Sequence, residues 1–142
     1  MTASGIKTTN LTLTRTISAS PEDVFEVWLN PQSAGSPFHG VTKAIVNPVV
    51  DGLFYSMYQM EGAEIAHYGR FVTLDRGTLI RQTWVSELTR GLESLITIRL
   101  EAQGGKTLVT LVHSNVPDDD GGHRHEQAWG YVLGTMMKRF SK

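Results

Sequence analysis

The spacing of apolar positions changes along this chain, and each change marks an element. In "NLTLTRTI", Leu11 and Leu13 alternate with threonines, the two-residue period of a half-buried strand. In "SASPEDVFEVWLNP" the period becomes helical: Val24, Phe25, Trp28 and Leu29 form one apolar stripe. Ser20 suits the N-cap, Pro21 the first helical position, and Asp23 completes a capping-box-like pattern. Pro31 ends that helix, and "PQSAGSPFHG" predicts a loop or a broken short helix. A run of β-like segments follows, over roughly 41–47, 53–60, 65–74, 79–86, 92–102 and 107–115. Turn chemistry separates them: "DG" at Asp51, "EGAE" at Glu61, "DRGT" at Asp75 and "QGGK" at Gln103. Finally Trp129, Val132, Leu133, Met136, Met137 and Phe140 recur at helical spacing, predicting a long amphipathic C-terminal helix.

Such closely spaced strands imply an antiparallel meander, whose apolar face a long amphipathic helix would cover. The predicted class is therefore α+β: a curved antiparallel sheet wrapped around the C-terminal helix, forming one domain over 1–142. Hairpin registers then assign faces. A two-residue loop at Gly104–Gly105 sets Leu100 opposite Val109, Ile98 opposite Leu111 and Ile96 opposite His113. The Asp75–Thr78 turn sets Phe71 opposite Gln82, Gly69 opposite Trp84 and His67 opposite Ser86. At Gly69 the missing side chain would leave room for the indole. The Glu61–Glu64 turn sets Tyr58 opposite His67. The inner face thus carries Tyr58, His67, Gln82, Trp84 and His113 among Phe54, Phe71, Ile96, Ile98 and Leu111.

A few polar groups in an apolar concavity have the composition of a ligand pocket. The candidate ligand-binding residues are Tyr58, His67, Phe71, Gln82, Trp84, Ile98 and His113 on the sheet, with Trp129 and Met136 on the helix. The competing reading leaves each polar group paired in an ordinary core.

Composition narrows the function. A net charge of −1 over 142 residues argues against a nucleic-acid or membrane surface held by broad electrostatics. No apolar run is long enough to span a bilayer, and "MTASGIKTTN" lacks a signal peptide's apolar centre. Without cysteine there are no disulfides, thiol nucleophiles or thiolate metal sites, and the cytoplasm is the default location. The acidic stretch "DDDGGHRHE" invites a metal. On a helix beginning near His123, however, His123 and His125 diverge by roughly 200° and cannot share one ion. Acidic residues suit a helix N-terminus in any case, so this stretch predicts a helix start, with no metal and no cofactor implied. Phosphate loops, nucleophile elbows and metalloprotease motifs are absent from the sequence.

Four segments carry a family resemblance: "TRTISASPEDVFEVWLNP", "GRFVTLDRGTLIRQTW", "GGKTLVTLVHSNVP" and "HEQAWGYVL". In order and spacing, from about Leu11 to Phe140, they resemble the activator of ninety-kilodalton heat-shock-protein ATPase homologue family. That family is placed in the START-like, or SRPBCC, superfamily. The resemblance implies a helix-grip fold with a hydrophobic cavity between sheet and helix. Related members include lipid carriers, polyketide cyclases and dehydratases, and ring-hydroxylating oxygenase domains. The sequence departs from the family at "AGSPFHG", where a "WW-x-P" segment is usual, and at "NPVVDG", in place of an Arg-Pro-Gly-Gly turn. It also shows no two-histidine, one-carboxylate iron set of the oxygenase kind.

Three functions compete. One is binding of a small hydrophobic or amphipathic ligand. A second is cyclase, dehydratase or hydrolase chemistry with Tyr58, His67 or His113 as acid or base. The third is a co-chaperone role, although the named activator has a larger, two-domain chain. Exposed edge strands would permit a homodimer.

Overall fold

The computed structural model describes residues 5–141; the first residues of the Thr-rich start and Lys142 lie outside the described residues. The elements are β1 (Thr8–Ile17), α1 (Pro21–Leu29), β2 (Lys43–Val46), β3 (Leu53–Met60), β4 (Ala63–Asp75), β5 (Leu79–Trp84), a 3₁₀ turn (Glu87–Thr89), β6 (Ser94–Gln103), β7 (Lys106–Pro117) and α2 (Asp120–Phe140). The strands form one antiparallel seven-stranded sheet in the order β1-β7-β6-β5-β4-β3-β2, so only the first strand departs from a meander. This α+β helix-grip arrangement is the predicted class.

The helices form for the reasons their sequences suggest. The Ser20 side chain accepts from the Asp23 amide at 3.1 Å, and Pro21 opens α1. Val24, Phe25, Val27 and Trp28 are buried, while Leu29, assigned to the stripe from sequence, is half-buried. Helix α2 begins earlier than His123: Asp119 is its N-cap and accepts from the Gly122 amide at 2.8 Å. Its buried face is Gly122, His125, Trp129, Leu133 and Met136. Met137, predicted for the apolar stripe, is instead 39% exposed.

The β6–β7 hairpin has the predicted register throughout, including Ile96 opposite His113. The β4–β5 hairpin reaches its register by another route. Its turn holds one more residue, pairing Asp75 with Leu79. An irregularity between Phe71 and Thr73 then restores Phe71 opposite Gln82, and beyond it Tyr68 pairs with Val85. The Glu61–Glu64 assignment is corrected. The loop is Glu61–Gly62, both at positive φ, so Tyr58 pairs with Ile65 and His67 with Ser56. Glutamate in a left-handed position is uncommon, which is why the sequence did not suggest it. The error is two residues, an even number, so Tyr58 and His67 still share a face.

Gly69 is confirmed as a position that needs glycine, but for a different reason. A Cβ there would lie 2.2 Å from the Thr83 carbonyl oxygen and 2.8 Å from the Phe54 ring. Strand backbone and a phenyl ring, not the Trp84 indole, occupy the space. The 30–42 segment is a loop tied down by its own polar groups. Ser36 Oγ donates to the Trp28 carbonyl (2.7 Å) and accepts from the Phe38 amide (3.2 Å). Phe38 is thereby buried against Phe54 and Phe71, with ring centroids 5.3 and 6.4 Å away. At Gly35 the loop backbone approaches α2 so closely that a Cβ would stand 2.9 Å from Met136 Cα.

Candidate functional site

The sheet and α2 do not close completely. Between them lies a recess of about 310 Å³, at the low end of the roughly 300–1,000 Å³ of small-molecule sites. Its floor is Ser56 and His67 on neighbouring strands and Trp84 on β5; its helical wall is His125, Trp129, Val132 and Thr135. The 35–41 loop and Leu88 close the sides, and Tyr58, Arg124 and Tyr131 stand at the mouth. Tyr58 is 42% and Tyr131 75% exposed.

Of the residues singled out from sequence, Tyr58, His67, Trp84 and Trp129 line this recess. Phe71, Gln82, Ile98, His113 and Met136 do not; they are fully or almost fully buried in the core behind it. Gln82 Oε1 accepts from Trp28 Nε1 at 2.9 Å, tying β5 to α1. Sequence reasoning missed Ser56, Leu88, the loop residues and His125. His125 carried a usable signal: it lies four residues before Trp129 and so shares its helical face.

His113 sits in a chain of hydrogen bonds that fixes its tautomer. Trp129 Nε1 can only donate, so His113 Nδ1, 3.0 Å away, accepts and bears no proton. Nε2 then carries the proton and donates to Ser94 Oγ at 2.7 Å. The Ser94 hydroxyl in turn donates to the Trp84 carbonyl. A protonated His113 would set two N–H groups against each other. Burial, reinforced by His125 and His67 nearby, accordingly pushes its pKa down to about 2.

His125 is anchored differently. Its Nδ1 lies 2.9 Å from the Gly122 carbonyl, an acceptor, so Nδ1 holds the proton and Nε2 is bare. Its ring meets that of His113 edge to face at 4.8 Å, and burial lowers its pKa. His67 packs on Trp84 (4.9 Å between centroids, 31°) and edge-on to Tyr58 (6.3 Å). Burial, with His125 nearby, lowers the His67 pKa to about 4. All three imidazoles are therefore neutral at pH 7, and among the described residues no carboxylate lines the recess. Arg124 at the mouth pairs with Glu61 at 3.4 Å.

The acidic stretch behaves as a helix start. His123 Nε2 meets Asp118 at 2.7 Å on the surface, whereas His125 points into the interior. Among the described residues no group of three or more histidines and carboxylates is placed to hold a metal ion. Nor, among those residues, is any helix long and apolar enough to cross a membrane.

A helix-grip sheet with an aromatic recess between sheet and helix has the architecture that the sequence resemblance implied. The family model described as Activator of Hsp90 ATPase homolog 1-like protein matches residues 18–141. The chain belongs to this family. Solved structures agree on the fold. Protein CV1439 from Chromobacterium violaceum superposes with a TM-score of 0.79 at 20% identity, covering 94% of this chain and 97% of that one. The Aha1 dimer of Colwellia psychrerythraea gives 0.73 at 17% identity, covering 93% and 96%. DynU16, from a dynemicin biosynthetic locus, gives 0.70 at 14% identity, with 91% of this chain matched to 46% of that longer one. No curated protein matches the chain. Within the family frame, the "AGSPFHG" departure falls on the 34–40 loop, which forms one wall of the recess.

Proposed function

We propose that this family member binds a small, uncharged, largely apolar ligand in the recess between the sheet and α2. The observation that carries the reading is the lining itself: Trp84, Trp129, Tyr58 and His67 offer aromatic surface, with a few buried polar atoms interspersed. Binding is favoured over catalysis by the state of the imidazoles. A general base works best with a pKa near the working pH. His67 at about 4 and His113 at about 2 lie far below it, and His113 already spends both ring nitrogens on structural bonds. Tyr58 stands at the rim and half in water. The co-chaperone reading draws its support from the family's name and not from any feature of this recess.

Native mass spectrometry of the purified chain tests the proposal. A co-purified small molecule at one per chain is expected, together with its loss in Ala128→Phe, which places a ring over the recess from an exposed position on α2. Equal occupancy in both proteins would place the ligand elsewhere. No bound molecule, and no quenching of tryptophan fluorescence across a panel of neutral aromatic compounds, would count against binding altogether.

A further inference from the structure

Two of the side chains that line the recess hold buried polar atoms with no hydrogen-bond partner among the described residues: Trp84 Nε1 and His125 Nε2. The third such atom, Gln82 Nε2, belongs to a residue outside the recess. An unpaired buried polar atom costs about 1–3 kcal/mol, and each one calls for an explanation. The two lining atoms differ in kind. Trp84 Nε1 can only donate. His125 has its Nδ1 proton committed to the Gly122 carbonyl, so its Nε2, at the far end of the ring, can only accept. His125 is 3% exposed, and the lining cation, Arg124, is at the mouth and pairs with Glu61.

Resting on the binding reading above, we propose that the ligand class is neutral aromatic or alicyclic compounds bearing a hydroxyl, whose O–H donates to His125 Nε2 and whose oxygen accepts from Trp84 Nε1. The pattern selects by chemistry. An ether of the same shape has an acceptor for Trp84 but no proton for His125. A carboxylate brings a negative charge against the His125 lone pair, and the lining cation, Arg124, is at the mouth and already pairs with Glu61. Both atoms are buried and unpaired among the described residues, so a ligand group that reaches them gains by removing that cost.

Equilibrium dialysis at pH 7 with 2-naphthol, 2-methoxynaphthalene and 2-naphthoate separates these cases. The naphthol is expected to bind about tenfold tighter than the ether, the value of one well-placed hydrogen bond to a buried group. The naphthoate should be the weakest of the three. His125→Phe keeps a ring in place and removes the acceptor, so naphthol should fall to the level of the ether while the ether is unchanged. Trp84→Phe removes a donor that both use and should weaken both alike. The comparison of the three probes on the unaltered chain stands even if either variant folds poorly. Equal binding of naphthol and ether, or preference for the naphthoate, overturns this inference and leaves the recess a ligand site. Failure of all three probes to bind overturns it as well. The binding reading itself falls only if native mass spectrometry also finds the recess without a ligand.

Discussion

Trp129 shows at the residue scale how a polar atom in the core becomes part of the fold. Among the described residues its indole N–H is the donor placed on His113 Nδ1, and it thereby selects the tautomer that reaches Ser94. Trp129→Phe keeps most of the apolar area but strands that nitrogen, so we expect a loss of about 1–3 kcal/mol in urea denaturation. A change below about 0.5 kcal/mol would mean the chain of bonds contributes little. Gly69→Ala should be at least as damaging, because the clash is with backbone and no rotamer relieves it. In both positions the residue type was legible in sequence. The partner was not, since a register names the opposite residue and says nothing of how closely two backbones approach.

Helix α2 decides the behaviour of the larger elements. Leu133 is fully buried while Tyr131, two residues before it, is 75% exposed. Leu133→Ala should therefore cost about 2–5 kcal/mol, and Tyr131→Ala should stay within about 0.5 kcal/mol, both read by denaturant midpoint. Similar losses at both sites would mean the helix is not gripped as described. The helix start is equally constrained: a Cβ at Gly122 would stand 1.9 Å from the Pro117 carbonyl oxygen, so Gly122→Ala should shift or fray the first turn. Helical periodicity located this helix and most of its face. It overran at Met137, because a buried arc is set by how deeply the helix sinks between sheet and loop, and Gly35 presses on Met136 next door.

For the whole molecule, three buried neutral imidazoles make stability depend on pH. His67 and His113 have folded pKa values of about 4 and about 2, and that of His125 is lowered too, against about 6.5 in the unfolded chain. Between those limits the unfolded state binds more protons than the folded one, so stability rises with pH. The contribution is complete above pH 6.5 and is lost as pH falls below it, by up to about 1.4 kcal/mol per pH unit for each group. Unfolding free energies measured at pH 7, 6 and 5 should fall steadily, in a window where few carboxylates titrate. A flat profile there would mean the imidazoles are charged or exposed in the folded protein.

What the sequence determined by itself was everything that follows from periodicity, capping and turn chemistry. Strand and helix order, the inward face of the sheet and the β6–β7 register all rest on interactions between residues near in the chain, or on a parity that survives even a two-residue slip. The place where the interior remains open was decided only by tertiary structure. Phe71, Gln82, Ile98, His113 and Met136 point inward as surely as Trp84 and His67 do, yet they pack solidly: Phe38 fills the space beside Phe71, Trp28 of α1 reaches Gln82, Trp129 and His125 close on His113, and the loop at Gly35 presses on Met136. The recess lies between Ser56, His67 and Trp84 on one side and His125 and Trp129 on the other. Pattern tells which side of an element is buried. Only packing in three dimensions leaves a volume unfilled, because a cavity is a property of all its walls together.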